Sequence, residues 1–81
     1  MLRRHKMIIS IKNEVDGFIR RKEILSNWSC LNVLKHLKKQ ALIKDPYARI
    51  MNLGGVLTLV VHRIETTVLI TVSLVEKGTE K

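Results

Sequence analysis

Residues 56–75 constrain the fold more than any other part of the chain. Two runs rich in β-branched and apolar side chains, VLTLVVH and TVLITVSLV, face each other across Arg63-Ile64-Glu65-Thr66. Such composition favours a pleated, half-buried surface, so the pattern predicts an antiparallel hairpin with strands at about 56–62 and 67–75. A four-residue loop is expected, because Ile-Glu suits no primed two-residue turn. In that register Leu57, Leu59, Val61, Val68, Ile70, Val72 and Leu74 share one face. Val56, Thr58, Val60, His62, Leu69, Thr71, Ser73 and Val75 share the other, which is half apolar. One face should pack on helices. The second predicts partial cover by another subunit, hence a homodimer through the β-sheet, with a threonine-rich solvent face as the alternative.

The chain has 81 residues, enough for one domain over 1–81 but not for two cores. Its 46% hydrophobic content is globular, and a single cysteine excludes an internal disulfide. Residues 1–5 and 77–81 read as tails.

Upstream of the hairpin, residues 6–12 form a short isoleucine-rich run that suggests a strand. Asn13 is a possible cap for a helix over 14–25 with Val15, Phe18 and Ile19 inward, although Gly17 costs a helix about 1 kcal/mol and Asp16-Gly17 is also a turn signal. Ser29 is a good N-cap. After it Cys30, Leu31, Leu34, Leu37 and Ala41 recur at intervals of three and four, predicting an amphipathic helix over 29–44 that Pro46 ends. Residues 45–53 stay open between two structures. Asp45, Pro46 and Gly54 are helix punctuation, whereas Gly54-Gly55 between apolar runs signals a hairpin that would pair Ile50 with Leu59 and Ala48 with Val61.

These elements predict an α+β fold, a small two-layer domain with one or two N-terminal helices packed on a C-terminal antiparallel β-hairpin or meander. The order of amphipathic helix, punctuated segment and hairpin also resembles the end of a winged-helix domain, over about residues 14–75 and as pattern alone. A winged-helix-like fold is therefore the alternative. The hairpin strands are long for a wing and the most basic helix is not next to it, so no site residue is assigned from the resemblance.

Charge points to function. Lysine and arginine number 15 against 7 aspartates and glutamates, a formal net charge of +8, and all of that excess lies in residues 1–44. A basic half beside a neutral, strand-forming half suggests a polyanion-binding side on a scaffold. A solubilising surface is the plainer explanation. Three groups are candidates for contacts to phosphate: the arm Arg3, Arg4 and Lys6; the cluster Arg20, Arg21 and Lys22; and the helix face Lys35, Lys38 and Lys39. The aromatics are few, and Phe18 and Trp28 read equally well as core, so base stacking is not expected to be the main device.

Catalytic and metal chemistry have little to draw on. His5, His36 and His62 are scattered without metal-ligand spacing, and Cys30 sits on an apolar helix face, where it reads as a small core residue. Gly54-Gly55 lacks the context of a phosphate cradle. No enzyme, cofactor or metal is expected. Residues 7–11 are too short for the apolar stretch of about 7–15 residues, with its basic start, that a signal peptide needs. Across 56–75, His62, Arg63 and Glu65 would sit at mid-membrane, each full charge at a cost of about 2.5–3.5 kcal/mol, so no integral membrane association is expected and the cytoplasm is the expected compartment.

The sequence therefore predicts a small basic nucleic-acid-binding protein, regulatory or architectural, acting on duplex DNA or structured RNA. The alternative is a protein-interaction module, an inhibitor or adaptor docking an acidic partner through the same helix or by adding a strand to the hairpin's edge. Peripheral attachment to anionic lipid through the basic N-terminal segment ranks third.

Overall fold

The computed structural model describes residues 4–75. In order they form β1 (His5–Asn13), β2 (Ile19–Ser26), α1 (Cys30–Ala41), β3 (Arg49–Leu53), β4 (Val56–Arg63) and β5 (Thr66–Leu74). All five strands join one antiparallel sheet in the order β2-β1-β5-β4-β3, and α1 lies across one face. With 54% of the described residues in strands and 17% in the helix, this is not a pair of helices on a hairpin, and that expectation is corrected. The winged-helix alternative falls with it, because α1 is the single helix among the described residues. Of the expected tails, residues 1–3 and 77–81 lie outside the described residues, while His5 already opens β1.

The segment expected as a helix over 14–25 instead turns and returns as β2. Asn13 Oδ1 accepts from the Val15 N–H at 3.0 Å, Asp16 Oδ1 accepts from the Phe18 N–H at 2.8 Å, and Gly17 takes a positive φ of 72°. Side chains that satisfy backbone donors locally compete with a helix, and the left-handed glycine stops one. Val15, Phe18 and Ile19, whose spacing suggests a helix face, are all exposed. β2 then pairs with β1 from Lys12↔Ile19 to His5↔Ser26.

The glycine pair closes a hairpin. Gly54 and Gly55 have φ of 61° and 88°, the two left-handed positions of a type I′ turn, and Asn52 Oδ1 accepts from the Gly55 N–H at 2.8 Å. Ile50 pairs with Leu59 as the strand reading requires, while Ala48 precedes β3 and is buried against the core. The next turn is tighter than the sequence suggests. Arg63 pairs with Thr66, leaving only Ile64-Glu65 in the loop, with no positive φ at either residue. Its closure is held from outside: Thr66 Oγ1 donates to Asn13 Oδ1 at 2.7 Å, and the Glu14 N–H donates to the Thr67 carbonyl at 2.9 Å.

β1 and β4 run one way and β2, β3 and β5 the other, so α1 must carry the chain from one edge of the sheet to the opposite edge. It starts on Ser29, whose Oγ accepts from the Asn32 N–H at 3.1 Å, and ends at Ala41, three residues before the expected limit. The Ala41 carbonyl there accepts from both the Lys44 and Asp45 N–H groups, which tightens the last turn ahead of Pro46. Val33 and Leu34 point inward, while Leu31, expected in the core, is exposed. Leu34 packs with Ala48, Leu59 and Val61, and Val33 packs with Met7 and Ile9. Leu37, Ile70 and Val72 touch both groups, so the core is one continuous layer between α1 and the sheet. Complete burial of Leu59 alone contributes about 1.5–3 kcal/mol.

Candidate nucleic-acid interface

Residues directly opposite each other in a ladder share a face, so register sorts the cations. Arg20 lies opposite Ile11 and Lys22 opposite Ile9, on the side that carries α1. Arg21 lies opposite Ser10, and Lys6 opposite Leu25, on the bare side. Lys35, Lys38 and Lys39 ride on α1. The helix side therefore gathers Arg20, Lys22, Lys35, Lys38 and Lys39, and the bare side takes Lys6 and Arg21. Arg4 is exposed just before β1, and Arg3 lies outside the described residues.

Two cations of the bare face escaped the sequence reading. Lys12 sits between Ile19 and Leu69, and Arg49 sits opposite Val60, in the half whose net charge is zero. The period-two alternation of Lys6, Ile8, Ser10 and Lys12 was the available signal for the first. Arg49 had none, because its face follows only from the β3–β4 pairing.

Some of this charge has a structural role. β2 is an edge strand, and Arg20, Arg21 and Lys22 blunt its unpaired backbone against edge-to-edge association. Lys38 and Lys39 occupy the last turn of α1, where cations stabilise the helix dipole by about 0.3–1 kcal/mol. Lys35 and Lys39, one turn apart, repel by roughly 0.2–0.5 kcal/mol, and α1 contains no acid to offset them.

Phe18, Trp28 and Tyr47 are all on the surface, so of the two equal readings of Phe18 and Trp28 the core one does not hold. Trp28, 47% exposed, meets the His36 ring edge-on, with centroids 5.5 Å apart and planes at 76°. Its backbone N–H donates to Ser26 Oγ at 3.0 Å. With Asn32, Lys35 and Lys39 the two rings line a shallow groove of about 320 Å³.

A larger groove of about 970 Å³ opens between the end of α1 and the β4–β5 turn, lined by Leu37, Val61, Ile64 and Ile70 with Asp45 and His62 at its wall. β3 begins too late to pair with His62, and the Asp45 carboxylate takes its place. Oδ2 accepts the His62 N–H at 2.6 Å and lies 3.3 Å from His62 Nδ1, while Oδ1 accepts the Tyr47 N–H at 3.0 Å. The His62 backbone bond, above all, holds the Asp45 carboxyl below its ordinary value, against the opposing push of burial. An aspartate beside a histidine is also how enzymes orient a base, but no serine, threonine or cysteine lines this groove. Among the described residues no three His, Cys, Asp or Glu side chains converge as a metal site would require, and no helix is long and apolar enough to cross a membrane.

No family model matches the sequence, and comparison with curated proteins and with solved structures gave no match.

Proposed function

We propose that the protein binds nucleic acid through phosphate contacts from its helix side, with Arg20, Lys22, Lys35, Lys38 and Lys39 as the contacting groups. One observation carries the reading. Among the described residues Lys6–Glu23, at 4.0 Å, is the only ion pair that any lysine or arginine makes. No other lysine or arginine is held by a carboxylate among the described residues, so an incoming phosphate meets cations with no partner there to displace. Neutralising about five phosphates of duplex DNA gives a log–log salt slope of roughly −4.5. The test is a salt titration of binding to duplex DNA, single-stranded DNA and RNA. Absence of binding at low salt, or binding unchanged when those five residues are made Glu, overturns the reading.

A homodimer through the bare face belongs to the same proposal, supported by exposed Leu53 and Val56 beside half-buried Met51. Sedimentation as a monomer at micromolar concentration removes it. The groove beside Ile64, a residue 98% exposed, favours a second reading, a protein-docking module. Capture of a defined partner that survives nuclease treatment and is abolished in Ile64→Asp supports that reading over the first.

A further inference from the structure

We infer that the groove at the start of α1 is a subsite for one unpaired nucleotide, its base stacked on Trp28 and its phosphates met by Lys35 and Lys39. This rests on the nucleic-acid reading above and narrows the partner to a strand that offers a base outside a duplex.

Three features of the groove converge on that ligand. Its wall is an aromatic ring left half in water, although tryptophan normally buries a large apolar surface. The ring is held rather than loose, because Ser26 Oγ fixes the Trp28 backbone, Ser29 caps the helix that follows, and the His36 ring packs on the indole at 76° with centroids 5.5 Å apart. The two ring planes meet at 76°, so a base stacked on one is bounded by the other. Its floor is a single helical stripe of Asn32, Lys35, His36 and Lys39 at spacings of three and four. No carboxylate lines it.

An aromatic platform beside a cationic track is how single strands are held without sequence reading. The Asn32 side chain adds an amide that can both donate to and accept from a base edge. A duplex hides its base faces in the stack and can use only the lysines, so Trp28 separates an unpaired nucleotide from a plain phosphate backbone. The mutual repulsion of Lys35 and Lys39 is relieved when an anion lies over them.

The chain has one tryptophan, so its emission reports this site alone. The experiment follows Trp28 emission and the anisotropy of a labelled strand together, during titration with oligodeoxythymidylate, oligouridylate and a duplex DNA of equal length. Single strands should quench Trp28 in step with the anisotropy rise, and the duplex should raise anisotropy with little quenching. Trp28→Ala should weaken single-strand binding roughly 5- to 150-fold and leave duplex binding unchanged, while Trp28→Phe retains most of it. Circular dichroism of both variants checks the fold. Single-strand binding with no quenching, and with full affinity in Trp28→Ala, overturns the subsite and leaves the phosphate reading standing. No anisotropy change with any nucleic acid at low salt removes both.

Discussion

The Asp45 carboxylate binds the His62 backbone N–H at 2.6 Å, where a ladder partner from β3 would otherwise sit. One side chain thus completes the sheet, closes the turn at Tyr47 and forms the wall of the larger groove. Because Asp45 titrates below its ordinary value when folded, its contribution is fully present above the unfolded carboxylate value, near pH 4. It disappears as pH falls from there through the depressed folded value. Thermal melts between pH 7 and pH 2 should show this acid-side decline. Asp45→Ala should lower the melting temperature at pH 7, and the gap between it and the parent should shrink toward pH 2. A gap independent of pH would assign the aspartate a neutral packing role.

The β3–β4 turn offers a backbone test. Gly54 and Gly55 are both left-handed with open space where a Cβ would stand, so Ala at either position suffers from conformation alone. Gly54→Ala and Gly55→Ala should each cost about 1–2 kcal/mol in urea unfolding. Gly54→Asn, which tolerates that conformation, should cost less.

The inward face of α1 can be read from two leucines. Leu34→Ala, at a fully enclosed position, should cost about 2–5 kcal/mol, a large share of the stability of a domain this size. Leu31→Ala, three residues away and 40% exposed, should cost well under half as much. Equal costs would mean that the helix is rotated toward the face that periodicity alone suggests.

That contrast bears on what the sequence makes legible. The Ser29 cap, the Gly54-Gly55 turn and the Ile50↔Leu59 and Val61↔Val68 pairs all follow from local chemistry or from a two-residue period, and all are present. The failures are non-local. β2 is an edge strand with few buried side chains, so it lacks the alternation that marks a strand, while Val15, Phe18 and Ile19 imitate helical spacing across a turn and the start of β2. The β1–β5 pairing joins segments about sixty residues apart, and no local signal announces it. The candidate site depends on another pairing, the β1–β2 register. Without it, Arg20, Arg21 and Lys22 read as one cluster.

The two sides of β2 give the sharpest test of where phosphate binds. Arg20 and Lys22 share the helix side, whereas Arg21, Lys6 and Lys12 share the bare side. If the helix side meets the nucleic acid, Arg20→Gln with Lys22→Gln should flatten the log–log salt slope by roughly 2, about 1 for each phosphate that is no longer neutralised, with weakening across all sequences. Lys6→Gln with Lys12→Gln removes the same charge from the other side, so long-range attraction falls equally in both pairs. Its slope should stay within about 0.5 of the parent, because these two lysines displace no counterion from the strand. Equal flattening by both pairs would mean that the strand wraps the β2 edge. Flattening by Lys6 and Lys12 alone would move the interface to the bare face, where Ser10 and Thr71 lie in register with Arg21.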